Sequence, residues 1–354
     1  MRWLRIYPPP IKRGWGSFLI RGVRRVENDG LPNVKIIRKY LLTLIFIVMK
    51  TKLFSILAAV ALLLSGACSS SDDGPNEGGG TQGGGTTTPD YIELKFMSFN
   101  IRLNSSSDGS NAWVYRQEAA VKMIQDQKPV CIGMQEVQPG QNSYLKSKLP
   151  EYGVYGLGRN SAAAPEDSSS TDECMMVYWL KSEVDLVSYG TFWLSETPDV
   201  KSYGWDANIR RTCTWCMFRH KATKQLFYFF NTHFDHKGET ARTESVKLIV
   251  KKIQEINGDN RPVVLVADFN SNTSHERFVP LHEFMKDART NAAITDDHYT
   301  YNGWGKSSST IDHLFYRGEG CEALEYHTVT ENYGVPYVSD HYPVTLRLKI
   351  PVKK

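Results

Sequence analysis

Cysteine is scarce in this chain and builds no framework. Six cysteines are spread over 354 residues, and only Cys213 and Cys216 lie close together. They fall in a strand-like run, where side chains three apart face opposite sides, so a zinc knuckle or a redox dithiol is excluded there. All cysteines but Cys68 read as packing thiols. There is no lysine-rich arm or insertion of the kind that marks a duplex-DNA binder, and no internal repeat. Acids are nearly missing from the first 67 positions, which hold two of the 38 Asp and Glu but twelve of the 42 Lys and Arg. The remainder carries 30 basic against 36 acidic residues, a net −6, although the whole chain stands at +4. That sign argues against capture of nucleic acid by broad phosphate neutralisation; a local basic groove stays open.

The first 48 residues lack domain character, because Pro8, Pro9 and Pro10 with Gly14, Gly16 and Gly22 interrupt any periodicity. A second beginning follows at Met49-Lys50-Thr51-Lys52, with an apolar run over 53–64 and then Ser65-Gly66-Ala67-Cys68. A positive leader, a short apolar stretch and small residues before a cysteine form a signal-peptide pattern, and the run is too short to span a bilayer. It resembles a bacterial lipoprotein signal. The resemblance implies an upstream extension over 1–48 that is not part of the natural protein, a signal peptide over 49–67, and a lipidated Cys68 followed by a flexible tether over 68–90. The tether, mostly Gly and Thr, cannot bury enough apolar surface to fold. Its serine and acids resemble the leaders of Bacteroidetes-type surface lipoproteins, which implies a protein lipid-anchored at the outer membrane or cell surface rather than spanning it.

Residues 91–354 have the length of one large domain. Strand-like runs recur at 92–101, 130–134, 174–180, 191–194, 213–218, 226–231, 263–266, 311–316 and 344–350. Helical patterns stand at 112–127, 239–256 and 275–285. Helix-crossed strands mixed with consecutive strands predict an α/β protein with two packed sheets and helices outside.

The chemistry gathers at strand ends. The run over 263–267 leads into Asp268-Phe269-Asn270, and residues two apart on an extended segment point the same way. Asp268 and Asn270 therefore face one pocket with a hard carboxylate oxygen and an amide, suited to an oxygen-seeking cation and a phosphate. Other runs deliver Asn100; Gln135 and Glu136; Asn231, His233, Asp235 and His236; Asp312; and Asp340 with His341. Any one of these could be a capped turn, but an open sheet places its site where strand ends converge.

Phe99-Asn100-Ile101-Arg102, Met134-Gln135-Glu136-Val137, Asn231-Thr232-His233, Ala267-Asp268-Phe269-Asn270, Ile311-Asp312 and Ser339-Asp340-His341 together resemble the endonuclease/exonuclease/phosphatase superfamily, in the family's order. The resemblance implies a four-layer α/β/β/α sandwich of two mixed sheets with flanking helices, and Mg²⁺-assisted hydrolysis of a phosphate ester, with Mn²⁺ as an alternative ion. It implies Glu136, Asn100 and Asp340 as the metal pole and Asp268 as the group that activates water. It implies Asn270 as a phosphate holder and His341, oriented by Asp312, at the scissile phosphate. By the same resemblance His233 is a second histidine, expected to pair with Glu173, and Arg211 grips a substrate phosphate. Asp235 and His236 read equally as a helix start, and Trp113 with Arg116 as packing. Trp193, Tyr203, Trp205 and Trp304 are candidate pocket walls.

The chemistry is coherent without the family. A phosphodiester repels hydroxide, so a site must supply positive charge, a positioned water and a proton for the leaving oxygen; histidine backed by a carboxylate is a natural proton carrier. Substrates range over nucleic acid, phospholipid headgroups and inositol phosphates, acted on by a monomer. The alternative is a catalytically silent surface lipoprotein that binds a glycan or nutrient. A glycoside hydrolase needs only two opposed carboxylates and gives no reason for the histidines and asparagines.

Overall fold

The computed structural model describes residues 90–353. The expected extension, signal, lipidated Cys68 and all of the tether but Asp90 lie outside the described residues. Among the described residues no helix is long and apolar enough to cross a membrane.

Two six-stranded mixed sheets pack with helices on their outer faces. The first runs β11 (Glu322–Thr328), β12 (Val344–Pro351), β1 (Tyr91–Asn100), β2 (Cys131–Val137), β4 (Cys174–Leu180), β3 (Tyr152–Tyr155). The second runs β5 (Val184–Trp193), β6 (Thr212–His220), β7 (Leu226–His233), β8 (Val263–Asp268), β10 (Asp312–Arg317), β9 (Lys286–Asp287). Each has one parallel pair at its centre, β1 with β2 and β7 with β8, flanked by antiparallel neighbours. A parallel pair needs a long crossover; helix α1 (Trp113–Gln127) supplies one and α3 (Glu239–Ile256) the other. The two sheets thus repeat one plan that left no repeat in the sequence.

Alternation sorts the side chains. On β7 and β8, Phe229, Val264 and Val266 enter the core between the sheets, while Phe230, Leu265 and Ala267 face the α3 side with Val246 and Ile249. Cys213 and Cys216 separate in the same way, one to each core, and the five described cysteines are all buried and free. Polar groups fix the register of the two sheets. Buried Asn231 donates through Nδ2 to the carbonyls of Met134 and Met176 and accepts from Gln135 Nε2 at 2.7 Å. The sheets approach so closely there that a Cβ on Gly133 would stand 2.3 Å from Val266 Cγ2.

Several elements differ from expectation. Pro139 and Gly140 open helix α2 (Pro139–Lys148), tolerated because proline at the first helical position gives up an N–H that has no partner anyway. The pattern at 275–285 divides into a 3₁₀ turn, Glu276–Phe278, and the short α4 (Val279–Phe284), with Pro280 at its start. Strands β3, β9 and β11 were not expected; they are the short or charged outer strands. A further short helix, α5 (Ala288–Asn291), follows β9.

Candidate active site

One rule of direction places the functional side chains. The C-terminal ends of the parallel strands β1, β2, β7 and β8 point to the same end of the sandwich as the N-terminal ends of their antiparallel neighbours. Asn100, Glu136, His233 and Asp268 arrive by the first route. Glu173, Arg211, Asp312 and His341 arrive by the second, at or before the starts of β4, β6, β10 and β12. They meet around a pocket of about 430 Å³. Glu136, Glu173, Arg211, His233, Asp268, Asn270, Asp340 and His341 line it directly, with Asn100 and Asp312 buried behind.

At one end of the pocket stand carboxylates. Glu136 sits in a β-bulge with a left-handed φ of 63°. Its Oε1 accepts from Asn100 Nδ2 at 3.1 Å and its Oε2 from the Leu103 N–H at 3.0 Å. Burial opposes its charge, but the Leu103 N–H, His341, Asn100 and Arg102 hold it below the usual carboxylate range. Asp340 is pushed up by burial and by the neighbouring Glu136, against the pull of His341, of Arg102 at 3.8 Å and of Arg116. Two hard carboxylates side by side on the pocket wall form a donor set that fits a divalent ion such as Mg²⁺. The cluster of Asp268, Asp312 and His341, whose donor atoms lie within 4.8 Å of one another, fits less well. Its groups already bond to each other and to Asn100 and Asn270. Arg102 and Asn270 share the left-handed backbone of Glu136, with φ of 59° and 49°, the kind of strain that functional sites retain.

At the centre, Asp312 Oδ2 accepts from His341 Nδ1 at 2.8 Å. Although burial disfavours the imidazolium, Asp312, Asp268 and Asp340 raise the His341 pKa above its ordinary value. Burial and the nearby Asp312 push Asp268 up as well. Its Oδ2 takes Asn100 Nδ2 at 2.9 Å and lies 3.8 Å from His341 Nε2. Tyr301, absent from the expected set, lines the pocket and packs its ring 4.8 Å from that of His341.

The far end is cationic. Arg211 is 5 % exposed, with Asp235 at 3.7 Å and His236 Nδ1 at 3.1 Å, and its Nε and Nη1 have no hydrogen-bond partner. A guanidinium with unmet donors on the pocket wall suits an anion. His236 lines the pocket while Asp235 accepts from the Lys237 and Gly238 N–H groups ahead of α3.

The expected pairing of Glu173 with His233 is not made. Arg159, from the loop before β4, takes both Glu173 oxygens in a fork, at 2.9 Å on Oε2 and closer on Oε1; a planar guanidinium is the stronger partner for a carboxylate. His233 instead meets Asn270 Nδ2 at 2.9 Å through Nε2, with Asp268 Oδ2 at 3.3 Å. Asn270, expected to hold a phosphate oxygen, spends its amide hydrogens on His233 and on the Phe234 carbonyl. Of the aromatic candidates none lines the pocket. Trp193 donates to the Arg159 carbonyl, Tyr203 stacks on Arg210, Trp205 borders a separate hollow, and Trp304 covers Arg116. Arg116, between Trp113 and Trp304, donates to the carbonyls of Ile101, Arg102, Asn111 and Val338. It ties the end of β1 to the segment that carries Asp340.

Residues 97–341 match the model of the Endonuclease/Exonuclease/phosphatase family. Three solved structures from Bacteroides are similar in sequence and fold. An endonuclease/exonuclease/phosphatase of Bacteroides vulgatus is 33 % identical with a TM-score of 0.68, covering 73 % of this chain and 99 % of that one. A family protein of Bacteroides thetaiotaomicron is 30 % identical with a TM-score of 0.69, over 74 % and 100 %. A mannosyl-6-phosphatase of the same organism is 32 % identical with a TM-score of 0.66, over 72 % and 99 %.

Proposed function

Because this chain belongs to the endonuclease/exonuclease/phosphatase family, whose members hydrolyse phosphate esters, we propose that it is a Mg²⁺-dependent phosphoester hydrolase acting on small phosphorylated molecules. The carrying observation is the single pocket that brings Glu136 and Asp340, the Asp312–His341 pair with Asp268, and the open donors of Arg211 together. A divalent ion held by Glu136 and Asp340, with Asn100 behind, would neutralise charge on the phosphate oxygens and polarise the ester; Mn²⁺ suits the same donors.

Each side chain then has a task. Arg211, on the pocket wall, presents its positive charge to non-bridging oxygens. Asp268, its affinity for protons raised by burial, takes the proton of the attacking water. His341, kept charged by Asp312, gives a proton to the departing oxygen. A net acidic domain and a pocket of about 430 Å³ suit a compact ester better than a polymer, and the 32 % identical relative is named for a sugar phosphate. The pattern over 49–68 supports a lipid-anchored enzyme at the outer membrane or cell surface, scavenging external phosphoesters as a monomer.

The test is turnover of a hexose 6-phosphate, a chromogenic monoester and its diester by the full chain, with Mg²⁺ and with EDTA. Metal-dependent monoester hydrolysis, abolished in Asp268→Ala and His341→Ala, is the expected result. Preference for the diester would move the assignment to a nuclease-like or phospholipase-like role. No turnover together with no calorimetric Mg²⁺ binding would sink the catalytic reading.

A further inference from the structure

Of the three histidines that line the pocket, His233 and His341 have surroundings opposite in kind. Around His341 stand Asp312, Asp268 and Asp340, all acceptors. The groups facing His233 are mostly donors or cations, namely Arg211, Arg159, His236 and His341, with Asp268 as the acid among them.

The protonation of His233 follows from the amide of Asn270. Phe234 O accepts at 3.0 Å from one face of that amide, which identifies the atom there as Nδ2, since an oxygen would be repelled. The same Nδ2 lies 2.9 Å from His233 Nε2. Its two hydrogens therefore point at Phe234 O and at His233, and Nε2 must offer a lone pair. Asp268 Oδ2, at 3.3 Å, does not need a proton on Nε2, because it already accepts from Asn100 at 2.9 Å. The proton of a neutral His233 is thus on Nδ1. That nitrogen is buried and has no partner, since Glu173 is held by Arg159. Burial, with Arg211, Arg159 and the neighbouring histidines, also pushes the pKa of His233 well down.

We propose that His233 is a positioning residue and not a proton carrier: it stays neutral, with its proton on Nδ1, and holds the Asn270 amide through Nε2. The proposal rests on the phosphoesterase reading for its kinetic arm, but not for its spectroscopic one.

The spectroscopic arm uses the full chain labelled with ¹⁵N-histidine. In His233, Nδ1 is expected to give a pyrrole-type signal and Nε2 a pyridine-type signal, both constant from about pH 5 to about pH 9, where an ordinary histidine titrates. The kinetic arm compares pH–rate profiles. In His233→Gln the side-chain oxygen stands close to where Nε2 stood, so both limbs should persist and kcat/KM should fall by no more than about tenfold, against the hundredfold or greater loss when a proton carrier is removed. His233→Ala, with Asn270 released, should fall further while keeping the same limbs. Titration of His233 within that range, a proton on Nε2, or a missing limb in His233→Gln would overturn the proposal. If no phosphoester is turned over at all, the phosphoesterase reading fails and the nitrogen signals alone decide the role of His233.

Discussion

The sandwich has a hollow at each end, and the larger is the less chemical. The one opposite the site has a volume of about 590 Å³ and is lined by Arg261, Lys286, Arg317, Glu283, Glu319 and Lys353. Four of these six are exposed; of the other two, Arg261 reaches Asp259 only at 3.5 Å, and Arg317 lies over the Phe284 ring and donates to the Phe284 carbonyl. In the smaller hollow, Arg211, His233, Asp268 and Asp340 are all less than a tenth exposed. Water screens and dilutes charge at the first end. At the second end, removal from water makes each charge answerable to its neighbours. Burial of charge, not size of cavity, marks the chemistry.

That contrast can be broken by mutation. His341→Ala and Asp312→Ala should each lower kcat/KM by about a thousandfold or more, near the upper range for a proton-handling group, measured with the stability of each variant as control. Next comes the carboxylate edge. Glu136→Ala should weaken Mg²⁺, by calorimetry, more than the hundredfold or so that groups behind a ligand command. Arg116→Ala leaves four carbonyls without their donor and should cost roughly 3 kcal/mol in denaturant unfolding. Asp235 provides a pH test. Burial opposes its charge, yet the Gly238 and Lys237 N–H groups and Arg211 bring its pKa from 3.8 to about 2. A carboxylate depressed on folding stabilises the protein above the unfolded value, and that stabilisation is lost as pH falls from 3.8 towards about 2. Asp235→Asn should flatten the stability profile in that window. Arg261→Ala with Lys286→Ala, in the larger hollow, should change stability by less than about 0.5 kcal/mol and leave kcat/KM unaltered.

The strand ends were legible because period and polarity change at one residue. Apolar runs that stop at Asn100, Glu136, His233 or Asp268 announce both the strand and its terminal group, and β4 and α3 fall where their patterns place them. The partners were less legible. Glu173 and Arg159 are separated by 14 residues in the sequence, and nothing local states that a loop guanidinium reaches the carboxylate first. Tyr301 follows Tyr299 in a loop that runs on into Gly303 and Gly305, and its approach to His341 depends on a bridge between two distant segments. The rim of the pocket is decided by tertiary proximity, its floor by strand direction.

Strand β1 carries one more consequence. Its ten residues begin at Tyr91, beside the hydrogen bond of 2.9 Å from the Val352 N–H to the Asp90 carbonyl, and end at Asn100, a length of about 33 Å. It is flanked by eight residue pairs with β12 and five with β2. Tension applied to the chain ahead of Tyr91 therefore runs along the strand and loads both ladders in shear, so that many hydrogen bonds must yield together. A domain tugged from that side resists like a rivet and not like a zip, and the force reaches the strand's far end, where Asn100 sits, last.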